Sequence, residues 1–314
     1  MTAPTVPGVP LAGRGRDAVG AADRVREAVA AGVEAALAGA SGPVGKVHVS
    51  WVAALDVAAC PAAFRGSGAD GWGFPGWSAA TGAAAVGRAA LDAALDGIDE
   101  RRGLGPPLAP LEVVRDWIRT APAGDGGVAG WVAELRADGD AGTLAALAAG
   151  AGRWVAGFLR TFGWPLPADL AVAAGMRPPA WRPPGVADVT VAGGADARLG
   201  RVSGAGRFAL VVHRPGGGGD DELRDRATFE AAAGALTRGI APEAVVVSSG
   251  DTGERVRLAV DDGVLAAGSR MVVAVVEQRV VALDRGFDPA DATPSPRCRW
   301  CPHRPDCPPG QARS

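Results

Sequence analysis

Three of the four cysteines fall within ten residues, Cys298, Cys301 and Cys307, in a C-x2-C-x5-C run followed by Pro308 and Pro309. A C-x2-C turn aims two thiolates at one centre, and a third a few residues on can close around the same ion or cluster. Zinc and iron–sulfur centres usually take four protein ligands, so one more must come from elsewhere. Cys60 is the remaining cysteine; His303 competes, but two residues after Cys301 it is cramped. If Cys60 joins, the centre ties the early part of the fold to its last residues. The plainer reading is three free or disulfide-bonded thiols on a frayed tail, and the spacing argues against it.

Composition narrows the setting. The 314 residues suffice for one large or two modest domains with a core. Apolar residues make up 48%, mostly Ala, Val and Gly, and tyrosine is absent. A net charge of −2 gives no bulk attraction to nucleic acid, so DNA binding would need a local basic patch. Arg297, Arg299 and Arg304 around the cysteines are candidates, against the plain reading of solvated surface arginines. Neither a signal peptide nor an apolar run of membrane-spanning length is recognisable, so a reducing, cytoplasmic setting is expected.

The elements that must position these groups can be followed along the chain. Residues 1–14 are expected to be disordered. Val25, Val29, Val33 and Leu37 share one face of a helix over residues 16–40, either an added arm or a packing element. Ser50 is a candidate N-cap for a helix over 51–59, directly before Cys60. His48 alternates with two valines, as a solvent-facing strand residue would. Further helices are expected over 79–96, 111–119, 128–148 and 151–162, with Trp117, Trp131 and Trp154 as core anchors rather than base-stacking platforms. After a proline-rich connector, 165–185, short β-branched runs at 186–191, 196–201 and 208–213 read as adjacent antiparallel strands. A helix over 222–238, strands at 244–248 and 255–260, and a helix over 262–283 complete a mixed sheet with helices packed on it. The division expected is a disordered and helical extension over 1–45 and one domain over 46–310.

Taken together, these features resemble the RecB-type branch of the PD-(D/E)XK nuclease superfamily. The likeness is to its iron–sulfur members, such as the AddB nuclease domain and the CRISPR-adaptation nucleases. Ser50 through Cys60-Pro-Ala-Ala-Phe-Arg65 is similar to the family's opening motif, and Cys298, Cys301 and Cys307 to its closing triplet. The resemblance implies an α/β, restriction-endonuclease-like mixed sheet flanked by helices, with a helical N-terminal half and a C-terminal cysteine cluster. It also implies a 4Fe-4S cluster held by Cys60, Cys298, Cys301 and Cys307, with Zn²⁺ the alternative occupant.

The family's hydrolytic motifs are less well kept. Gly193-Gly-Ala-Asp196 is similar to the motif supplying a metal carboxylate, which makes Asp196 a possible Mg²⁺ ligand. Where the family has a second acid and a lysine, this chain has Val212 and Arg214; where it has a histidine, Gly87 or Arg88 stands. Arg224 to Phe229 lacks the family's glutamine and tyrosine. Mg²⁺ usually requires two carboxylates, and an arginine cannot serve as a base. Asp220 and Asp221 could substitute only if the glycine loop before them folds back. The expectation is a degenerate nuclease fold binding DNA, single-stranded or at ends, or a helicase or repair-protein partner, with no membrane. An active Mg²⁺-dependent exonuclease using Asp196 with a displaced acid, and a zinc-stapled scaffold, are the alternatives.

Overall fold

The computed structural model describes residues 17–66, 77–99, 109–123, 127–163, 166, 170–172, 179–200, 208–214, 220–249, 255–295, 298, 301 and 303–311. Helix α1 (Ala18–Ala38) is followed by β1 (Val47–Val49), α2 (Trp51–Ala59) and α3 (Pro61–Gly66). Four helices come next: α4 (Ala79–Asp99), α5 (Pro110–Thr120), α6 (Gly127–Ala137) and α7 (Ala141–Phe162). Strands β2 (Leu170–Val172), β3 (Val189–Val191), β4 (Ala197–Gly200) and β5 (Phe208–Arg214) lead into α8 (Asp220–Arg238). Strands β6 (Ala244–Ser249) and β7 (Arg255–Ala259) precede α9 (Asp262–Asp284), and a last short helix is α10 (Pro308–Gln311).

The main sheet has the order β2-β4-β5-β6-β7. Strands β2, β4 and β5 are antiparallel neighbours, β6 runs parallel to β5 through the α8 crossover, and β7 runs against β6. A parallel pair needs such a crossover, whereas antiparallel neighbours do not. Strand residues alternate between faces, and β5 shows both. Phe208, Leu210 and Val212 pack into a core with α1, α2, α8 and α9, while Val211 belongs to a second core with α4, α5 and α7. The result is a mixed sheet between two helical layers.

Three local expectations are corrected. The run at 186–191 does not join the main sheet: β3 pairs in parallel with β1, Val189 opposite Val47. The antiparallel partner of β4 is instead β2, inside the stretch read as a proline-rich connector, with Ala171 opposite Arg198. The break between the third and fourth helices falls at Gly139, where φ is +71°, and not at residues 149–150. Asp140 then caps α7 by accepting the Thr143 N–H at 2.9 Å. Gly150 lies within α7 because a Cβ there would meet Ala83 of α4 at 3.0 Å.

Helix α1 is a packing element. Val25, Val29 and Val33 are buried in the first core, and Arg26 donates to the Leu236 carbonyl at 2.9 Å, capping the end of α8. His48 is exposed, as its alternation predicts, and Trp154 is fully buried. Among the described residues no helix is long and apolar enough to cross a membrane.

Helices α8 and α9 meet closely at Gly268. A Cβ on Gly268 would lie 2.4 Å from the Thr228 carbonyl oxygen, which is backbone and cannot swing away. Gly268→Ala is expected to cost ~1–3 kcal/mol in denaturant unfolding through forced separation of the two helices. Gly286→Ala, which meets nothing within 4 Å, serves as the reference and should be near neutral. Equal effects of the two would show that the crossing is not under this constraint.

Candidate metal centre and the Asp196 cluster

Cys60 sits at a corner. Ser50 caps α2 by accepting the Ala53 N–H at 3.4 Å, and α2 ends at Cys60 in extended conformation, its N–H bonded to the Asp56 carbonyl. The Cys60 carbonyl then accepts from Phe64 N–H to open α3, with Pro61 at its first position, where a missing N–H costs nothing. At the other end of the chain, tight turns succeed one another. Cys298 N–H bonds to Ser295 O, Cys301 N–H to Cys298 O, and Cys307 N–H to Arg304 O. Each turn starts or ends on a cysteine, so the three thiols are held by local backbone bonds.

These two segments meet. Cys60, Cys298, Cys301 and Cys307 line one cavity, with Asp56, Ala59 and Ala63 on the α2–α3 side and Arg304 and Gly310 on the other. At about 30 Å³ the cavity is far smaller than the roughly 300 Å³ of an organic-ligand pocket. Cys298 and Cys307 are buried and Cys60 and Cys301 half-buried, all four as free thiols. Ser295 N–H points at Cys298 Sγ at 3.3 Å. Burial pushes the Cys301 thiol up, opposed by the His303 N–H and reinforced by the charges of Cys60, Cys298 and Cys307. Among the described residues no three His, Cys, Asp or Glu side chains are grouped as ligands of a single metal ion. His303 does not line the cavity. It stacks on Phe287 with ring centroids 4.4 Å apart and packs against Gly66.

The contact is reinforced beside the cavity. Arg65 of α3, 5% exposed, pairs with Asp291 at 2.6 Å, and Arg279 of α9 lies over the Phe64 ring at 4.1 Å. The Arg65 guanidinium holds the Asp291 carboxyl below its ordinary value.

Asp196 has different company. It is buried, 3% exposed, just ahead of β4. One carboxylate oxygen pairs with the Arg88 guanidinium of α4, and the other accepts the His213 backbone N–H at 2.6 Å. Arg88, at the position where a metal-binding histidine is sought, thus neutralises the retained acid. Val212 is 2% exposed within the first core, and Arg214 pairs with Glu222 of α8 at 2.7 Å. Asp220 and Asp221 stand exposed in the first turn of α8, where acids complement the helix dipole. Asp196 and Arg214 are therefore committed to different partners on different helices.

Two buried groups here were not legible in the sequence. His213 Nδ1 lies 2.8 Å from Ser248 Oγ, with its ring edge-on to Trp154 and Phe158. Glu230 of α8, with no exposed surface, accepts Gly194 N–H at 2.8 Å and pairs with Arg226 at 2.9 Å. A Cβ on Gly194 would lie 2.6 Å from the Arg226 guanidinium, so glycine there admits the pair. The Gly-Gly before Asp196 was the available signal, since it marks close approach. Of the arginines sought as a basic patch, Arg304 borders the cysteine cavity; Arg297 and Arg299 lie outside the described residues. No known protein family and no curated protein matches this sequence.

Two predictions test these contacts. Asp291, lowered by Arg65, contributes stability that is complete above the ordinary carboxylate range and lost as pH falls through its lowered value. The melting-temperature gap between wild type and Asp291→Asn should thus be steady near neutrality and close below pH ~4; a gap insensitive to pH would discount the pair. Removing Asp196 strands a mostly buried Arg88. Asp196→Ala is expected to cost ~3–5 kcal/mol, and Arg88→Ala plus Asp196→Ala less than the two single losses added. Additive losses in chemical denaturation would argue against direct coupling.

Proposed function

We propose that this chain is an iron–sulfur protein of the RecB-like PD-(D/E)XK nuclease fold whose hydrolytic site has decayed. In this reading it serves as a DNA- or partner-binding module in DNA repair or recombination. One observation carries it: a cysteine at the α2–α3 corner and three in the last turns border a single small cavity. That juxtaposition is what the resemblance implies for a 4Fe-4S cluster. Cys60, Cys298, Cys301 and Cys307 would hold the cluster, which supplies cross-linking of the fold and, in principle, one-electron chemistry.

The donor set fits soft metals. Among the described residues no ligand grouping about a single metal ion is present, so what supports the reading is the sharing of one cavity by the four cysteines, with zinc as the alternative occupant. The mixed sheet, with three antiparallel strands, a crossover helix and a parallel strand, also supports the fold assignment. Decay of catalysis is supported by Asp196, whose two oxygens are already taken, and by Val212 at the second acid's position.

The test is anaerobic purification with metal analysis and a cleavage assay. A brown protein with matched iron and acid-labile sulfide is expected, bleached in Cys60→Ser. It should bind a labelled single-stranded oligonucleotide or a repair-protein partner without cleaving DNA in Mg²⁺ or Mn²⁺. A colourless protein with stoichiometric zinc would replace the cluster by the zinc-scaffold alternative. Metal-dependent DNA degradation that disappears in Asp196→Asn would restore the exonuclease.

A further inference from the structure

On the face of the second core away from the sheet, α5 and α7 bound an open groove of about 720 Å³. Its floor is α7 from Ala145 through Ala149 and Gly152 to Ala156, a run of small side chains over which another element can come close. Leu111 of α5 closes one side, 39% exposed and one of few large apolar side chains so placed among the described residues. The charged groups bordering the groove are all arginines: Arg115 and Arg119 one turn apart on α5, and Arg153 on α7. Arg119 pairs with Asp116 at 2.9 Å. Among the described residues neither Arg115 nor Arg153 has a carboxylate partner. In a chain of net charge −2, an apolar trough whose charged edges among the described residues are all cationic is a local reversal of sign.

We propose that this groove is a docking site for an acidic amphipathic helix of a partner protein. The floor from Ala145 to Ala156 spans about 16 Å at 1.5 Å per residue, the length of three helical turns. Small floor residues allow helix axes to approach to about 8 Å. Apolar anchors at i, i+4 and i+7 on the visiting helix would lie along Ala145, Ala149 and Leu111, the helix-in-groove mode of recognition. Carboxylates flanking those anchors would meet Arg115 and Arg153, where bidentate pairing gives orientation as well as attraction. Nucleic acid fits less well, because among the described residues no aromatic side chain borders the groove to stack a base and its centre is apolar. The proposal deepens the partner-binding reading above and rests on it for biological role, but not on the cysteine centre.

The probe is a labelled, helix-stapled peptide with leucines at i, i+4 and i+7 and glutamates beside them, titrated by fluorescence anisotropy against the full chain. The control peptide carries lysine for every glutamate. Saturable binding of the acidic peptide is expected, with the lysine peptide at least tenfold weaker. Arg115→Glu with Arg153→Glu should weaken binding at least tenfold, and Ala149→Trp, which fills the floor, should abolish it. These residues are exposed, so visible absorption and unfolding of the variants should match wild type. Equal binding of the two peptides, or indifference to the substitutions, would overturn the proposal. So would displacement of the peptide by a single-stranded oligonucleotide, or self-association of the chain lost in the same variants. Failure here leaves colour, metal content and oligonucleotide binding untouched, so it is distinguishable from failure of the iron–sulfur reading.

Discussion

The convergence of four thiols from opposite ends of the chain is the constraint around which the first core is arranged. Cys60 is fixed by the α2–α3 corner and the other three by consecutive turns, so neither half of the set can shift without unwinding local backbone bonds. Thiolates placed together repel one another, and burial disfavours their charge further; both effects act on Cys301. A bound cationic centre reverses the sign of that interaction. Almost the whole fold lies between Cys60 and Cys298, and a link closing so long a loop removes the most freedom from the unfolded chain. The Arg65–Asp291 pair and the Arg279–Phe64 contact then fasten the same junction from the side.

Asp196, by contrast, is a buried carboxylate whose visible contacts are structural. A carboxylate that accepts a backbone N–H with one oxygen and neutralises a guanidinium with the other has little left to offer a dication. Mg²⁺ dehydrates reluctantly and needs a site that repays it with charge. Here the only charge pointed at the carboxylate among the described contacts is that of Arg88, which is positive. Once the arginine is mostly buried against it, each group becomes the reason the other is tolerated.

Much of this was readable beforehand, for identifiable reasons. The helices α1 and α2 announce themselves through four-residue apolar spacing and the Ser50 cap, both local signals. The cysteine spacing suggested that three thiols share one place, and the search for a fourth pointed to Cys60, which lines the same cavity. What failed was non-local. The pairing of β3 with β1, and the recruitment of Leu170–Val172 as the partner of β4, depend on which strand edges meet, which short β-branched runs do not specify. The helix break expected at residues 149–150 is absent because Gly150 continues α7 and is small enough to admit Ala83 of α4. Glu230 and His213 were invisible because their partners come from distant elements, and a buried polar pair leaves no periodic trace.

The two cores share β5, and on the proposed reading that sharing ties the fate of a hydrolytic site to packing on both faces of the strand. Val212 faces the core with α8 and α9 and is 2% exposed, packed among residues such as Phe208, Leu210, Val245 and Val247. A carboxylate introduced there would enter an apolar layer without a cation to receive it, at a cost of several kcal/mol. Arg214, one face-equivalent step further along β5, is already bound to Glu222 and cannot turn to it without breaking that pair. Asp196, meanwhile, is held by α4 through Arg88. Recovering a two-carboxylate site would require the acid, the loss of Arg88 and a repacked α8 interface together. Each change alone destabilises the fold, so packing now opposes the chemistry that the strand order would otherwise accommodate.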